Sequence, residues 1–286
     1  MASDAYQKPK KSLKTTRILI AVFLILILAV LGAFGFYVLR IVQDYDEDRQ
    51  MGLTGTEQIN ATVLFVFYDD SYTSTAPQFL LTNFNSESGN IRLSVLPADL
   101  KVQVKTIDGT LSEQYTYGGV LQVKSAVETL LDIEIDKYVG APFSTLESVI
   151  KDLGGVEFTL DDDLYYENDD GELITTLKKG KQTLSGQQAM QYIRYGGWAS
   201  ASDTAANRAQ MAKSVVEQNL DEETANQIMD LYADVSSSLT TDLSIIEMSR
   251  FNDVFLSFKQ AEIIRAESEN GALTSGVLDS LSSAFA

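Results

Sequence analysis

The chain has 286 residues, with 22 Lys and Arg against 40 Asp and Glu, a formal net charge of −18, and 45% of its residues are apolar. This apolar content suffices for a packed core and excludes wholesale disorder, and the length suits one large domain with additions. The sequence contains neither Cys nor His. Disulfide frameworks, thiolate zinc sites, cysteine nucleophiles and histidine acid–base chemistry are therefore excluded.

The first element predicted along the chain is a transmembrane helix over residues 18–39. These 22 residues carry no charge and would span about 33 Å as a helix, enough to cross a hydrocarbon core of about 30 Å. The run is too long for a secretory signal peptide, and no A-x-A cleavage site follows it. Lys and Arg dominate before the span, and acidic residues follow Arg40 closely. The positive-inside rule therefore predicts a cytoplasmic tail over residues 1–17 and an extracellular remainder, anchored in the cell membrane by a single pass.

The predicted extracellular part is strongly acidic. Residues 41–286 hold 16 basic and 39 acidic side chains, a net charge of −23. Such a body repels phosphate backbones, so nucleic acid is not an expected partner. An anionic substrate would need a local basic pocket.

The next segments alternate between strand and helix patterns. Residues 40–59 read as a polar stem, and the continuous apolar run Val63–Tyr68 predicts a strand buried on both faces. Residues 79–85 and 91–97, joined by a turn at 87–90, predict a hairpin. Apolar spacing of three and four predicts helices from Val120 and from Phe143.

Further elements follow the same alternation. The sequence predicts the strand 156–160, an acidic loop from Asp161 to Gly171, a helix opened by the capping box Ser185/Gln188, and helices over about 203–220, 222–239 and 244–258. The C-terminal tail is predicted to be a short helix or a frayed end. This order indicates a three-layer α/β/α fold with a mixed central sheet over residues 60–220, followed by a helical C-terminal extension over 221–286.

Four stretches of residues 60–220 resemble the LytR–CpsA–Psr family of bacterial cell-envelope proteins. They are Tyr115–Gly119 (YTYGG), Val127–Val139 (VETLLDIEIDKYV), Leu153–Val156 (LGGV) and Leu177–Tyr195. The last carries the pattern K-G-x-x-x-L-x-G-x-Q-A-x-x-Y-x-R and is the most specific. The resemblance implies transfer of an anionic glycopolymer from a polyprenyl-pyrophosphate carrier to peptidoglycan, with a divalent cation such as Mg²⁺ and an arginine cluster holding the pyrophosphate.

The resemblance also assigns roles to individual residues. It implies Arg194 and Arg208 as catalytic and substrate-binding cations, and Asp203 as a catalytic residue. Asp99 is expected to bind substrate, and Asp70, after the first strand, to bind the metal. Each has a structural alternative: a solvated turn for Asp70 and Asp99, a surface ion pair for Arg194 and Arg208, and a helix N-cap for Asp203.

Several charged positions of the family pattern are replaced in this sequence. Ser71 or Tyr72 stands where the family has Arg, Thr75-Ala76-Pro77-Gln78 replaces Arg-Ser-Asp-Thr, and Ala98 and Gly196 each replace an Arg. Losing one charge-stabilising group commonly costs 10²- to 10³-fold in rate.

Two functions therefore stay open: a membrane-anchored glycopolymer transferase with a remodelled site, and a non-catalytic relative that binds polyprenyl lipid or an envelope partner. The family's older label of transcriptional attenuator conflicts with an external, acidic body.

Overall fold

A computed structural model of the protein describes residues 58–69, 77–167 and 173–286. The predicted span over residues 18–39 lies outside this part, and within it no helix is both long and apolar enough to cross a bilayer. The strands are β1 Asn60–Tyr68, β2 Gln78–Asn85, β3 Asn90–Leu96, β4 Lys101–Val104, β5 Ile107–Thr110, β6 Lys137–Pro142, β7 Val156–Leu160, β8 Leu164–Glu167, β9 Leu173–Leu177, β10 Gly180–Leu184, β11 Thr240–Thr241, β12 Gln260–Ile263, β13 Ser268–Glu269 and β14 Ala272–Leu273.

The helices of the described residues alternate with these strands. They are α1 Leu111–Leu131, α2 Phe143–Asp152, α3 Gly186–Arg194, α4 Ala201–Gln218, α5 Glu222–Ser236, α6 Ile245–Val254 and α7 Ser275–Phe285, with a 3₁₀ turn at Phe255–Ser257. The capping boxes predicted at Ser185/Gln188 and Ser244/Glu247 are confirmed at the starts of α3 and α6. Each box satisfies backbone N–H groups that the first helical turn leaves without partners.

A six-stranded mixed sheet in the order β11-β6-β1-β2-β3-β12 forms the centre of the fold. The predicted buried strand is β1, which pairs in parallel with β6 and antiparallel with β2. The predicted hairpin is β2–β3. Because β1 and β6 run in parallel and β2 runs back, the carboxyl ends of β1 and β6 lie beside the start of β2. We call this border of the sheet, across the strand ends, the carboxyl edge.

Helices cover both faces of this sheet, as the three-layer prediction requires. On one face, Leu64, Val66 and Leu81 are fully buried in a cluster that includes residues of α1 and α7. On the other face, Ile91 and Leu93 pack in a cluster with residues of α4, α5 and the 3₁₀ turn. The alternation of the two sets along β2 and β3 follows the two-residue period of a strand.

Residues 221–286, predicted as a helical extension, contain the helices α5, α6 and α7 and also short strands. This segment contributes β11 and β12, which are the two outermost strands of the central sheet. Its last helix, α7, buries Leu281 and Phe285 completely against the sheet. The sequence did not predict β11 and β12, because strands of two and four residues are too short to show a clear apolar alternation.

The predicted acidic loop also differs from the structure. Residues on either side of its centre form an antiparallel hairpin, β8–β9. Leu164 and Leu177 are buried at its base. Asp161 and Asp162 lie exposed before this hairpin, between β7 and β8.

Candidate anion-binding site

The candidate site lies at the sheet edge where β1 and β6 end and β2 begins. Ligands of open α/β sheets commonly bind outside the carboxyl ends of parallel strands, so this edge is the expected place for one. Asp69 follows β1 directly, and Phe143 follows β6 as the first residue of α2. Gln78 opens β2 opposite Phe67.

Arg194 reaches this edge from the last turn of α3. Its Nη2 lies 3.7 Å from Oδ2 of Asp69, whose side chain is only 5% exposed. Its guanidinium carbon lies 4.7 Å from the centroid of the Phe143 ring. The ring and the carboxylate hold the guanidinium in place, and 39% of the Arg194 side chain stays exposed to solvent.

Arg208 approaches the same place from α4. Its Nε donates a 2.7 Å hydrogen bond to the carbonyl oxygen of Ile193, the residue before Arg194. The buried Gln78 side chain donates to the same carbonyl at 3.2 Å. These two bonds fix the peptide that carries Arg194, so Arg194 and Arg208 are brought together at the end of α3.

Arg208 is half-buried, and no carboxylate of the described residues forms an ion pair with it. Burial lowers the pKa of its guanidinium to about 10. Because that value still lies well above neutral pH, Arg208 is a cation there. Its Nε is used by the Ile193 carbonyl, which leaves the two terminal nitrogens to bind an anion.

Asp203 does not join the two arginines. It is exposed in the first turn of α4, where its carboxylate accepts a 2.7 Å hydrogen bond from the hydroxyl of Ser200. Ser200, not Asp203, is the N-cap, and its Oγ accepts from the Asp203 backbone N–H. Five residues along a helix correspond to about 140° of rotation, which separates Asp203 from Arg208 on the helix surface.

Asp99 and Asp70 complete the residues implied by the family resemblance. Asp99 is exposed in the turn between β3 and β4, and its carboxylate contacts neither arginine. Its backbone carbonyl lies so close to Gly271 that a side chain there would come within 2.7 Å of it. Asp70 lies outside the described residues.

The sequence analysis assigned metal binding to Asp70 and no role at this edge to Gln78 or Phe143. Phe143 reads as a core residue of an amphipathic helix, and it is indeed fully buried. Gln78 and Phe143 come close to Arg194 through the pairing of β1 with β2 and with β6. Strand pairing cannot be read from a single sequence. The rule that strand ends gather at one sheet edge was the available signal.

The sequence profile of the LytR_cpsA_psr family matches residues 43–277. The chain belongs to this family. Relatives include the polyisoprenyl-teichoic acid–peptidoglycan teichoic acid transferases TagT and TagV of Bacillus subtilis. TagT is 25% identical over 58% of this chain and 51% of its own length, and TagV is 22% identical over 71% and 54%. The chain thus spans about half the length of these curated relatives.

Several solved structures share the fold of this chain. The crystal structure of Bacillus subtilis TagV has a TM-score of 0.64 at 18% identity, covering 79% of this chain and 95% of TagV. The structure of TagT bound to LIIa-WTA has a TM-score of 0.62 at 19% identity, covering 80% and 90%. A protein of Eubacterium siraeum described as a putative transcription regulator reaches 0.66 at 14% identity, covering 79% and 90%.

Proposed function

We propose that this chain is a membrane-anchored protein of cell-envelope assembly that binds a polyprenyl-linked anionic glycan through its pyrophosphate group. Arg208 is the observation that carries this proposal. Within the described residues this half-buried guanidinium has no carboxylate partner, and a bound anion would compensate part of the cost of burying its charge. In a body with a net charge of −23, the nearby Arg194 makes this edge a local exception that attracts phosphate.

The two arginines have different roles in binding. Arg208 has both terminal nitrogens available and can hold one phosphate group in the paired geometry that guanidinium favours. Arg194 shares its charge with Asp69 at 3.7 Å, so a second phosphate group competes with that carboxylate for it. The polyprenyl tail supplies further affinity through apolar burial, at about 25 cal/mol per Å².

Turnover of the bound lipid is slow or absent under this proposal. Charge that develops on the leaving oxygens needs several preorganised cations, and Ala98 and Gly196 stand where the family pattern has Arg. Asp203 binds its own helix cap, and the carboxylate of Asp99 faces solvent. These observations favour a binding protein over a fully active transferase on the same fold.

A divalent cation such as Mg²⁺ would bind weakly. Within residues 58–69, 77–167 and 173–286, no group of three acidic side chains is close enough to hold a metal ion. Asp69 offers one carboxylate at the site, and phosphate oxygens with water would have to complete the shell together with Asp70. The cation would neutralise part of the pyrophosphate charge.

The binding proposal is tested by titrating the full chain with a polyprenyl pyrophosphate and with the monophosphate, with and without Mg²⁺, alongside a phosphate-release assay. We expect the pyrophosphate to bind more tightly than the monophosphate, with little release. Equal affinity for the two lipids would contradict binding through the pyrophosphate. Rapid Mg²⁺-dependent release would contradict the slow-turnover proposal and establish a transferase.

The proposed orientation has the N-terminus in the cytoplasm and the domain outside, as the basic residues before position 18 favour. Protease added to intact cells should then release the large C-terminal fragment. A fragment that resists until the membrane is permeabilised would contradict this orientation. Cytoplasmic exposure of the tail can be checked in the same cells with an N-terminal tag.

A further inference from the structure

Two large apolar side chains of α1 stand out of the protein surface. Tyr117 is 68% exposed and Leu121 is 58% exposed. They lie four residues apart in α1, on either side of the glycine pair Gly118 and Gly119. The ten residues from Gln114 to Val123 carry no charge, although the protein is rich in charged residues. We call Tyr117 and Leu121 the α1 patch.

A break in the helix shapes this patch. Gly119 has φ 66° and ψ −154°, a conformation that only glycine adopts easily, and Gly118 beside it is also non-helical. Nothing lies within 4 Å of where a Gly119 side chain would be, so the backbone conformation, rather than lack of space, calls for glycine there. The break separates the helical turns that present Tyr117 and Leu121.

The start of α1, before the glycine break that the α1 patch flanks, lies close to the candidate site. The backbone N–H of Ser112, at the start of α1, donates a 3.0 Å hydrogen bond to the carbonyl of Ala98, after the end of β3. The ring of Tyr115 stacks on Tyr68 with centroids 5.8 Å apart. Tyr68 directly precedes Asp69, the partner of Arg194. The first half of α1 therefore borders the same sheet edge as the two arginines.

We infer that the α1 patch rests on the membrane surface when the chain is anchored, and this inference rests on the membrane anchoring proposed above. Tyrosine and leucine suit the boundary between headgroups and acyl chains, and the segment Gln114–Val123 brings no charge of its own there. A net charge of −23 favours zwitterionic over anionic lipid.

The length of the connection permits this contact. Eighteen residue steps separate Arg40, after the predicted span, from Gln58, the first described residue. Fully extended, they reach about 60 Å. The domain can therefore turn the edge that carries Arg194 toward the bilayer, which is where a polyprenyl-linked substrate resides.

The absence of cysteine allows a direct test on the full chain. Single variants Tyr117→Cys and Leu121→Cys, each labelled with an environment-sensitive fluorophore, are reconstituted in phosphatidylcholine vesicles that contain nitroxide-labelled lipid. Ile245→Cys is the matched control, because Ile245 is also apolar and is 62% exposed. It starts α6, close to the Lys137–Glu247 pair at the opposite end of β6. We expect strong quenching at positions 117 and 121 and little at 245.

Other results would overturn the inference. Equal quenching at all three positions, or none, contradicts a specific contact of the α1 patch. Quenching that appears only after a polyprenyl pyrophosphate is added shows that the patch covers the lipid tail and not the bilayer.

Flotation of the vesicles separates this inference from the proposed function. A chain that floats without quenching contradicts the α1 contact alone, whereas a chain that does not float contradicts the anchoring and the contact together. Binding of inorganic pyrophosphate, measured in the same samples, reports on the two arginines. We expect Tyr117→Ser with Leu121→Ser to leave that binding unchanged and to slow binding of the polyprenyl pyrophosphate in vesicles several-fold. Ile245→Ser should change neither.

Discussion

The two ends of the parallel pair β1–β6 differ in how far their charged side chains are paired within the protein. At the amino end, Lys137 lies 2.5 Å from Glu247. The carboxylate of Asp136 accepts from the Thr62 backbone at 2.7 Å, and that of Asp242 accepts from Tyr138 at 2.9 Å. At the carboxyl end, Arg194 lies 3.7 Å from Asp69, and Arg208 forms no ion pair with a carboxylate of the described residues.

This difference separates charges that hold the fold from charges that can bind a ligand. Each group at the amino end has a partner within the protein, so those charges join α6 and the loop before it to the sheet. Among the described residues, the carboxyl end has a surplus of positive charge, two arginines against one carboxylate. A surplus of this kind stabilises the fold little and is well suited to an anion from solution.

Both ends depend on the buried centre of β1, so the largest effect is expected from Val66→Asp. Val66 is fully buried between sheet and helices, and an unpaired carboxylate there costs several kcal/mol. A domain of this size has only about 5–15 kcal/mol of stability. We expect no cooperative thermal transition by circular dichroism. Leu256→Asp, at a 44% exposed position, is the control and should melt like the wild type.

At the carboxyl end, Arg208→Met should lower the affinity for inorganic pyrophosphate by about 10- to 100-fold, because hydrogen bonds to a charged group contribute about 1.5–3 kcal/mol. Titration calorimetry measures this. Gln78→Met removes the other bond to the Ile193 carbonyl but no charge, so it separates positioning of the peptide from charge. Arg265→Met, at a 69% exposed side chain, should change nothing. Unchanged binding by Arg208→Met would remove the basis of the proposed site.

A smaller effect is expected when an arginine is added to the same edge. Ala98, where the family pattern has Arg, is partly buried and packs against the core below α1. Ala98→Arg should tighten binding of a polyprenyl pyrophosphate by about tenfold, which corresponds to about 1.4 kcal/mol for one new charged hydrogen bond. Ala98→Met is a control of similar length without the charge. Equal affinities for the two variants would indicate that position 98 does not face the phosphate.

The sequence predicted elements well where the apolar pattern is long and the caps are explicit. Val63–Tyr68 and the Ser185/Gln188 capping box illustrate this, since both depend on neighbours along the chain. It failed for β12, a four-residue strand whose place beside β3 depends on burial across distant segments. Local patterns do not carry that information.

The candidate site likewise contains residues that the sequence placed correctly and one that it did not. The motif match pointed to Arg194 and Arg208, which do meet at the Ile193 peptide. The same match implied a role for Asp203, but that side chain accepts from Ser200 at the N-terminus of α4. A motif fixes the residue type at a position, whereas the helix rotation between positions determines which side chains can face one ligand.

The smallest effect is expected at the amino end, from Glu247→Gln. Partial burial alone would raise the pKa of the Glu247 carboxyl, but hydrogen bonds from Lys137 and Ser244 outweigh it and lower that pKa to about 2. Because the folded-state pKa lies below the unfolded value of about 4.3, the ionised pair stabilises the protein above that value, and this contribution is lost as the pH falls toward 2. The pair is partly exposed, so Gln should cost about 1 kcal/mol or less at pH 7.

Urea denaturation at pH 7, 5 and 3.5 should show that the difference in the free energy of unfolding between Glu247→Gln and wild type shrinks at the lowest pH. Pyrophosphate binding at the other end of β6 should stay unchanged. A constant difference across these pH values, or weakened pyrophosphate binding, would show that the two ends are not independent.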